Sequence, residues 1–379
     1  MSNIEAFANP DLTVGDGNKQ RWNQPKHRRH GFHNAHRMFR QSLSMRSELV
    51  LKLAPNINPS ISKLDRAREL TAMSTFSGLV VARDDAVLFE SYAPDYCQHQ
   101  PHSIQSITKM HINLIIGLLI QRQLIDPGKP VAHFLPDIGS GYAQASVQML
   151  LDMNVCNDFS EDYEDPDCDA YTYEVSLGWR LPVKGQPDLC LTNYLKNITG
   201  SAGRSQSGEV DYKSANTDVL TWIADVVTGG GLLAMMRGIV DAAGYENTFH
   251  ISTDKEGFPS LSGGGCLTAR DLARFGLLFA RRGIGVGGLV AGDAEFIKAS
   301  MNRNYPKFGA PRQWMGYSNH LFTNGRWIGH GGYGGQFLLI DMETGTTCAF
   351  LSVLENEAGY DQTYMLKIIE TLQDVACIA

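Results

Sequence analysis

Residues 106–120 read SITKMHINLIIGLLI, and this stretch decides the fold. Beyond its first turn it is apolar on nearly every side, which is the pattern of a helix surrounded by other elements. We predict one buried helix from about Ser106 to Leu124. Its first turn carries the S-x-x-K tetrad at 106–109, whose hydroxyl and amine are three residues apart and therefore face one another on a helix.

Lys109 occupies an unfavourable place for a charge. The first turn of a helix disfavours a cation, and a position near a core requires that a charge be paired. Both effects lower the pKa of the amine and make it a usable base for a serine nucleophile. In the structural alternative, Lys109 extends to solvent and Ser106 only caps the helix. A second S-x-x-K match at 60–63 has no apolar helix behind it, so we favour Ser106.

Two further segments carry candidate chemistry. Tyr212 precedes a predicted helix over 213–228, where a phenol can share a proton with a serine and a lysine. An ordinary half-buried tyrosine is the alternative. Residues 329–336, GHGGYGGQ, lie at the lip of a predicted strand, where glycines let backbone N–H groups approach a ligand. This segment and residues 283–288 also match G-x-G-x-x-G, but neither opens a strand–loop–helix unit, so we exclude dinucleotide binding.

Strand patterns lie at both ends of the chain, and helical patterns lie between them. Strands are predicted over 75–82, 87–92, 336–341 and 346–354. Helices are predicted over 106–124, 147–153, 213–228, 268–281 and 364–375. This order predicts an α+β fold with one antiparallel sheet built from both chain ends and flanked by helices. We expect one catalytic unit in three parts: an N-terminal arm packed on the core (1–65), a sheet region (66–105 and 251–379) and a mostly helical region (106–250).

Composition and charge limit the function classes. The net charge of −7 over 379 residues argues against general nucleic-acid binding. The Arg- and His-rich stretch 26–40 is expected to be a solvated arm, within an irregular N-terminal region that has helical pieces near 35–49. Seven cysteines without a CxxC pair predict free thiols and no metal site. The absence of an apolar signal segment or span makes the cytoplasm the default location.

Three motifs occur in order: S-x-x-K at 106–109, Tyr-x-Ser at 212–214 and His-x-Gly at 330–332. Together they resemble the serine β-lactamase and penicillin-binding superfamily, in its class C β-lactamase-like branch. Further phrases resemble the 6-aminohexanoate-dimer hydrolases and related family VIII-type esterases: LLDM at 150–153, SEDY at 160–163, YKSANTDVL at 212–220, and GGG at 263–265 before ARDLARFG at 269–276. The likeness covers roughly 70–379. It implies a β-lactamase-like fold and a serine hydrolase that needs no cofactor or metal.

The resemblance implies a role for each matched residue. Ser106 resembles the acylated serine, Lys109 its lysine partner, and Tyr212 the tyrosine that relays the proton. The backbone N–H groups of Ser106 and Tyr333 resemble the oxyanion hole. The candidate substrate-binding residues are Tyr163, which resembles a tyrosine on a mobile segment, together with Ser262, His330, Gly331 and Gly332. For His330 we favour a role in shaping the strand lip over a role in the chemistry.

The sequence departs from penicillin-recognising enzymes at two motifs. His-Gly-Gly at 330–332 stands where those enzymes usually have Lys-Thr-Gly, and Tyr-Lys-Ser at 212–214 stands where they usually have Tyr-x-Asn. The missing lysine removes a cation that would hold a β-lactam carboxylate, which argues against β-lactams as the main substrates. Ser262 also stands where the nylon-oligomer group often has Asn.

We therefore predict a serine hydrolase that cleaves an amide through an acyl-enzyme on Ser106. Its partner is a small-molecule substrate, with no nucleic-acid or membrane partner, and a homodimer is one assembly that the sequence allows. A carboxylesterase acting on short acyl esters and a non-catalytic penicillin-binding-like sensor are the alternatives. The acidic segment 161–174 is either a solvated loop or, if it overhangs the site, a selector of substrates that carry a free amine, such as amino-acyl amides.

Overall fold

The hairpin predicted near residues 75–92 lies inside an eight-stranded sheet of the computed structural model, which describes residues 18–163, 165, 167–200 and 208–379. The strands are β1 (Ser42–Met45), β2 (Ala54–Pro55), β3 (Phe76–Arg83), β4 (Ala86–Tyr92), β5 (His102–Ser103), β6 (Phe249–Ser252), β7 (Gly265–Leu267), β8 (Gly316–Ser318), β9 (Leu321–Thr323), β10 (Trp327–Gly332), β11 (Gln336–Asp341) and β12 (Thr347–Ser352).

Helices surround and separate these strands. The α-helices are α1 (Lys19–Trp22), α2 (Pro25–Met38), α3 (Pro59–Lys63), α4 (Asp65–Thr71), α5 (Met110–Gln121), α6 (Val131–Phe134), α7 (Ser140–Ala143), α8 (Val147–Leu151), α9 (Asp169–Ser176), α10 (Leu191–Leu195), α11 (Ser214–Val227), α12 (Leu232–Ala243), α13 (Ala269–Ala280), α14 (Ala294–Asn302) and α15 (Gln362–Ile378). Two 3₁₀ turns are formed by Gln105–Lys109 and Val286–Gly288.

The large sheet has the strand order β2-β4-β3-β12-β11-β10-β9-β8, so it is built from both ends of the chain, as predicted. Its strands pair antiparallel except for β2, which is parallel to β4. Strands β10, β11 and β12 are buried along their whole length. Because both faces of these strands are covered, their sequences do not alternate between apolar and polar residues; residues 337–340 of β11, for example, read FLLI.

Helices cover the two faces of this sheet. Thr347 of β12 contacts α13, where a Cβ added at Gly276 would lie 2.2 Å from its methyl carbon. The next residue, Cys348, donates its thiol hydrogen to the carbonyl of Leu372 in α15 at 3.8 Å. Neighbouring side chains of a strand point to opposite faces, so α13 and α15 lie on opposite sides of the sheet. The fold is therefore α+β, as the sequence predicts.

The apolar stretch that follows the S-x-x-K tetrad forms α5, and residues 110–119 of this helix are all buried. Helices α11, α12 and α14 pack around it. At Gly117 an added Cβ would lie 2.8 Å from the Phe296 ring, so glycine allows this close packing with α14. A helix held on all sides gives a rigid support to the residues at its N-terminus.

A small second sheet, with the order β1-β6-β7-β5, leads the chain into that N-terminus. Strand β5 pairs with β7, and the Ile104 N–H that follows donates to the Gly265 carbonyl at 3.0 Å. Thr108 strengthens the same junction, because its hydroxyl accepts from the Gly265 N–H at 3.1 Å. The sheet thereby fixes the 3₁₀ turn Gln105–Lys109 in front of α5.

The basic stretch 26–40 is not a solvated arm, which corrects that prediction. It forms most of α2, in which Arg28 is 2% exposed and His33 is 4% exposed. Arg28 donates to the carbonyls of Leu354 and Asn356 at 2.7 and 2.6 Å. These acceptors lie near the other end of the chain, so the local sequence gives no sign of the burial.

The helical pieces predicted near 35–49 occur only at 35–38, the end of α2. Residues 42–45 instead form β1, which pairs with β6 in the register Ser42 to Ser252. A partner strand about two hundred residues away overrides the weak local helical pattern. Residues 1–17 of the predicted N-terminal arm lie outside the described residues.

The other predicted elements occur within a few residues of their predicted bounds. The main difference is at 106–124, where the chain begins as a 3₁₀ turn and continues as α5 only to Gln121. Helices α12 and α14 and strands β8 and β9 were not predicted. The seven cysteines are free thiols. Within the described residues, no single helix is long and apolar enough to cross a membrane; α11 and α12 meet that test only as a pair bent by 106°.

Candidate active site

The S-x-x-K tetrad lies in the 3₁₀ turn Gln105–Lys109, where side chains three residues apart are eclipsed. The Lys109 Nζ accordingly lies 2.9 Å from the Ser106 Oγ. Ser106 is partly exposed, whereas the other four residues of the turn are buried. Gln105 has a φ of 48°, a sparsely populated conformation of the kind that clusters at active sites. The turn thus presents one hydroxyl, with an amine beside it, to solvent.

Lys109 is fully buried, so it does not extend to solvent. Besides Ser106, its Nζ donates to the Ser214 Oγ at 3.0 Å and to the Ser262 carbonyl. Burial lowers the lysine's pKa to about 8, although the negative charges of Glu161 and Asp218 raise it. About a tenth of such amines are neutral at pH 7. Lys109 can therefore accept a proton under ordinary conditions.

Tyr212 lies two residues before α11 and contributes its ring to the same site. The Lys109 Nζ is 5.1 Å from the centroid of this ring. Burial and the charge of Glu161 raise the tyrosine's pKa well above its usual value, while the hydroxyls of Ser106 and Ser214 act in the opposite direction. Tyr212 therefore stays a phenol at neutral pH, able to donate its proton while accepting another.

Glu161 is a site residue that the sequence analysis missed as an individual residue, although it begins the acidic segment. Its carboxylate accepts from both the backbone N–H and the hydroxyl of Ser214, at 2.6 and 2.7 Å. Because the Ser214 hydroxyl donates to Glu161, its lone pairs are available to the Lys109 ammonium. Carboxylate, hydroxyl and amine thus form a continuous hydrogen-bonded chain that ends at Ser106.

A second carboxylate lies behind Lys109. Asp218, on α11, is fully buried and accepts a hydrogen bond from the Tyr173 hydroxyl. Burial raises the pKa of this carboxyl above its ordinary value, and the nearby Lys109 ammonium lowers it. The sequence analysis did not predict a site role for Asp218, which it included only in the motif at 212–220. Nothing in the spacing of Asp218 from Lys109 indicates that the two are close.

Strand β10 approaches the 3₁₀ turn closely. A Cβ added at Gly332 would lie 2.7 Å from the Ile104 carbonyl oxygen and 3.1 Å from the Gln105 Cβ. Glycine is therefore required if the strand end is to lie against the 3₁₀ turn that carries Ser106. Tyr333 follows immediately, and its side chain continues along the cleft that contains Ser106.

His330 is buried behind the cleft wall. Its Nδ1 is 2.6 Å from the Gly331 carbonyl, and its Nε2 is 3.0 Å from the Tyr317 hydroxyl. The carbonyl can only accept, so Nδ1 carries the hydrogen and Nε2 accepts from the tyrosine. Burial and the Lys109 charge hold the imidazole's pKa well below its ordinary value. His330 is therefore a neutral, doubly hydrogen-bonded ring.

A cleft of about 660 Å³ brings most of the predicted residues together. Those that line it are Ser106, Tyr163, Tyr212, Ser262, Gly331, Gly332 and Tyr333. Lys109 and His330 lie behind its wall. Tyr163, in the acidic segment, is 39% exposed, and its hydroxyl is 3.4 Å from a Glu174 oxygen. Among the described residues, no group of three or more His, Cys, Asp or Glu side chains could hold a metal ion.

The arrangement has the components of acyl transfer: an accessible hydroxyl, an amine that can accept its proton, a phenol beside both, and a glycine-rich strand end. Lys19 and Trp179 also line the cleft, and Lys19 pairs with the buried Glu174; none of the three was predicted as a site residue. Lys19 and Glu174 are 155 residues apart, so no local motif could have indicated their pairing.

Comparison with known proteins identifies the family of the chain. Residues 66–370 match the family model described as beta-lactamase. The 6-aminohexanoate-dimer hydrolase of Paenarthrobacter ureafaciens is 30% identical over 365 residues, which cover 90% of each chain. A candidate 6-aminohexanoate-dimer hydrolase from Bacillus anthracis has a similar structure, with a TM-score of 0.81 and 20% identity over 98% of both chains.

A D-stereospecific amidohydrolase from Streptomyces shares the fold more distantly. Its TM-score is 0.56 at 17% identity, and the match covers 80% of this chain and 98% of that chain. The family model and the 30% identical relative decide the classification, and the structural likenesses agree with the fold. The sequence-based resemblance to this superfamily is confirmed. The chain belongs to the beta-lactamase family and is a hydrolase.

Proposed function

We propose that this hydrolase cleaves linear amides by a two-step acyl transfer in which Ser106 is the nucleophile. The observation that carries the proposal is the 2.9 Å contact between Ser106 and Lys109, a buried amine whose pKa is lowered to about 8. A neutral amine at this distance can take the serine proton directly. No other S-x-x-K pair in the described chain has this setting, since Ser60 and Lys63 lie on the short surface helix α3.

In the first step, the Ser106 oxygen attacks the amide carbonyl while its proton passes to Lys109. The raised pKa of Tyr212 makes it a relay instead of a base: it gives its phenolic proton to the leaving nitrogen and regains one from Lys109. The C–N bond then breaks, and the amine leaves in neutral form. Ser106 is left as an ester, and Lys109 returns to its neutral state.

The oxyanion formed during this step requires hydrogen-bond donors. We assign that role to the backbone N–H groups of Ser106 and Tyr333, on the basis of the close approach of Gly332 to the nucleophile turn. Each such donor contributes about 3 kcal/mol of transition-state stabilisation in serine hydrolases. His330 and Gly331 support this strand end, and the two hydrogen bonds of the neutral His330 ring favour a structural role for it.

Deacylation reverses the proton path. A water molecule attacks the ester of Ser106, and Tyr212 and Lys109 take up its proton and return one to the serine oxygen. The acid product leaves, and the free enzyme is restored. All of these groups belong to the chain, so the scheme uses no cofactor or metal.

The proposed substrate class is based on the named substrate of a related hydrolase. The relative with 30% identity is named as a hydrolase of the 6-aminohexanoate dimer, which contains an amide, and the open cleft of about 660 Å³ can accept an extended molecule. Tyr163 and Ser262, which line this cleft, are the side chains that we expect to contact such a substrate. The amine preference suggested by the acidic segment stays a prediction.

Labelling and turnover can test the proposal together. Wild type should react with a fluorophosphonate probe and hydrolyse both a p-nitrophenyl ester and the 6-aminohexanoate dimer or its N-acetyl derivative. Ser106→Ala should lose labelling and turnover, whereas Ser60→Ala, at the other S-x-x-K match, should retain both. Labelling that survives in Ser106→Ala would refute the assignment of the nucleophile.

The same assays decide between the alternatives. Ester hydrolysis without measurable amide cleavage would identify a carboxylesterase. Labelling without turnover of either substrate would identify a sensor that acylates and stops. The proposal requires amide cleavage that depends on Ser106.

A further inference from the structure

A lysine from the N-terminal segment reaches into the cleft that contains Ser106. Lys19 begins α1, and its backbone N–H donates to the Trp179 carbonyl at 2.6 Å. Its side chain is only 4% exposed, although it lies near the start of the described chain. Lys19 and Ser106 line the same cleft.

The Lys19 ammonium is bound by an acid and three aromatic rings. It forms an ion pair with Glu174, which is 1% exposed. The Lys19 Nζ also lies 4.6, 5.7 and 5.8 Å from the ring centroids of Trp179, Tyr333 and Tyr163. Aromatic faces around an ammonium, closed by a carboxylate, are the chemistry by which proteins recognise alkylammonium ligands. We call the four residues around the Lys19 ammonium, namely Tyr163, Glu174, Trp179 and Tyr333, the ammonium cage.

The cage lies next to the proposed reaction centre. Tyr333 belongs to both, since its ring forms one wall of the cage and its backbone N–H is assigned to the oxyanion hole. Tyr163 and Tyr333 are neighbours, with ring centroids 6.4 Å apart. A substrate that extends from Ser106 along these two rings would bring its far end toward Glu174.

The carboxylate of the cage is already neutralised. One Glu174 oxygen pairs with Lys19, and the other accepts from the Arg180 Nε at 2.5 Å. An arriving substrate ammonium would therefore meet two cations and an occupied acid. Its binding would require displacement of Lys19, since like charges in a poorly solvated site repel strongly.

We propose that Lys19 is an internal ligand that fills an ammonium subsite beside Ser106, and that it thereby determines specificity against substrates with a free amine at that end. The inference rests on the proposed function and deepens it. This outcome differs from the sequence-based hypothesis for the acidic segment, because Lys19 lines the cleft and pairs with the buried Glu174 behind it. Removal of Lys19 should convert the cage into a site for a substrate ammonium.

Kinetics on a matched substrate pair test the specificity. Wild type should prefer the N-acetylated 6-aminohexanoate dimer over the free amine in kcat/KM. Lys19→Ala should raise the ratio of amine to N-acetyl kcat/KM by at least about tenfold. Lys26→Ala, which removes an exposed lysine from α2, should leave the ratio unchanged. The double variant Lys19→Ala/Glu174→Gln should lose the gain.

A binding measurement tests the cage without catalysis. In calorimetric titration, n-butylammonium should bind Ser106→Ala/Lys19→Ala, whose cage is vacated, and should not bind Ser106→Ala, whose cage holds Lys19. The proposal would be overturned if Lys19→Ala left the ratio of amine to N-acetyl kcat/KM unchanged. An equal gain on both substrates is such a case, and it would mean that Lys19 only obstructs the cleft. A lack of n-butylammonium binding to the double variant would overturn the proposal as well. Activity that survives in Ser106→Ala would instead refute the assignment of Ser106 as the nucleophile. The binding of n-butylammonium would still test the role of Lys19 independently.

Discussion

Glu161 accepts hydrogen bonds from both the backbone N–H and the hydroxyl of Ser214, at 2.6 and 2.7 Å. The second of these orients the serine hydroxyl so that it accepts from the Lys109 ammonium at 3.0 Å. Glu161 thus acts on the amine through one intervening hydroxyl and through its own negative charge. Glu161 thereby links the acidic segment to the proposed proton path through Ser214.

Glu161→Gln should move the pH profile of kcat/KM to lower pH. The negative charge of Glu161 raises the pKa of Lys109, so its removal lowers that pKa and leaves more amine neutral at a given pH. The plateau should fall by up to about tenfold, because glutamine offers Ser214 a weaker acceptor than a carboxylate. Steady-state kinetics on a neutral ester from pH 5.5 to 9.5 measure both changes. Asp167→Asn, an exposed position of the same segment, should change neither.

The wild-type profile itself should rise with pH on an inflection near the Lys109 pKa of about 8. The base is competent only when neutral, so activity increases as the ammonium loses its proton. Lys109→Arg should lose at least about a thousandfold in kcat, because a guanidinium stays charged throughout this range. A profile that is flat between pH 6 and 9 would argue that another group accepts the serine proton.

The lowered pKa of Lys109 also has a consequence for stability. The amine has a pKa of about 8 in the folded protein and an ordinary value of 10.5 when unfolded. Between these values the unfolded state binds more protons, so the contribution of Lys109 to the free energy of unfolding rises with pH, by up to about 3 kcal/mol. The free energy of unfolding of wild type minus that of Lys109→Met, from urea denaturation, should therefore increase between pH 7.5 and 10.5. A constant difference would mean that the pKa is not lowered.

Tyr212→Phe should separate amides from activated esters. A leaving amine requires a proton, which the phenol supplies, whereas p-nitrophenolate leaves without one. We expect kcat/KM for an amide to fall by about 100- to 1000-fold and that for a p-nitrophenyl ester by less than about tenfold. Comparison of the two substrates on one enzyme preparation cancels errors in active-site concentration. An equal loss on both would make Tyr212 a general base for the serine and not a relay to the leaving group.

The parts of the site that were predictable depend on short sequence distances. Ser106 and Lys109 are three residues apart and are followed by an apolar helix, so one segment contains both the contact and the reason for the lysine's lowered pKa. The hairpin β3–β4 and helix α13 were likewise visible in local periodicity. That Tyr212 lies beside this pair was inferred from the order of the three motifs along the chain and their resemblance to a known superfamily. The spacing of about a hundred residues does not by itself indicate that the two segments are close.

The remaining parts depend on contacts between distant segments. Glu161 reaches Ser214 across 53 residues, and Lys19 reaches Glu174 across 155. A charged residue that ends in a buried pair looks, in sequence, like one on a solvated face. The stretch 26–40 was misjudged for this reason, because the acceptors of Arg28 are backbone carbonyls near the C-terminal end. Local charge patterns therefore predict solvent exposure even where the fold provides partners.

The two adjacent glycines at the end of β10, Gly331 and Gly332, differ in the space around them. A Cβ at Gly332 would lie 2.7 Å from the Ile104 carbonyl oxygen, whereas one at Gly331 would meet only side-chain atoms at 3.4 Å and beyond. Gly332→Ala should push the strand end away from the nucleophile turn and misplace the Tyr333 N–H. We expect kcat to fall by about 100-fold or more, the loss seen when one oxyanion-hole donor is removed. Gly331→Ala is the matched comparison: its methyl fits an ordinary contact distance, so kcat should stay within about threefold, and an effect on the cleft lining is expected in KM instead. Kinetics and thermal unfolding of both variants distinguish the outcomes: a large loss of kcat in Gly332→Ala with a melting temperature close to that of Gly331→Ala supports the oxyanion hole. Equal activity of the two variants would place the second donor elsewhere than Tyr333.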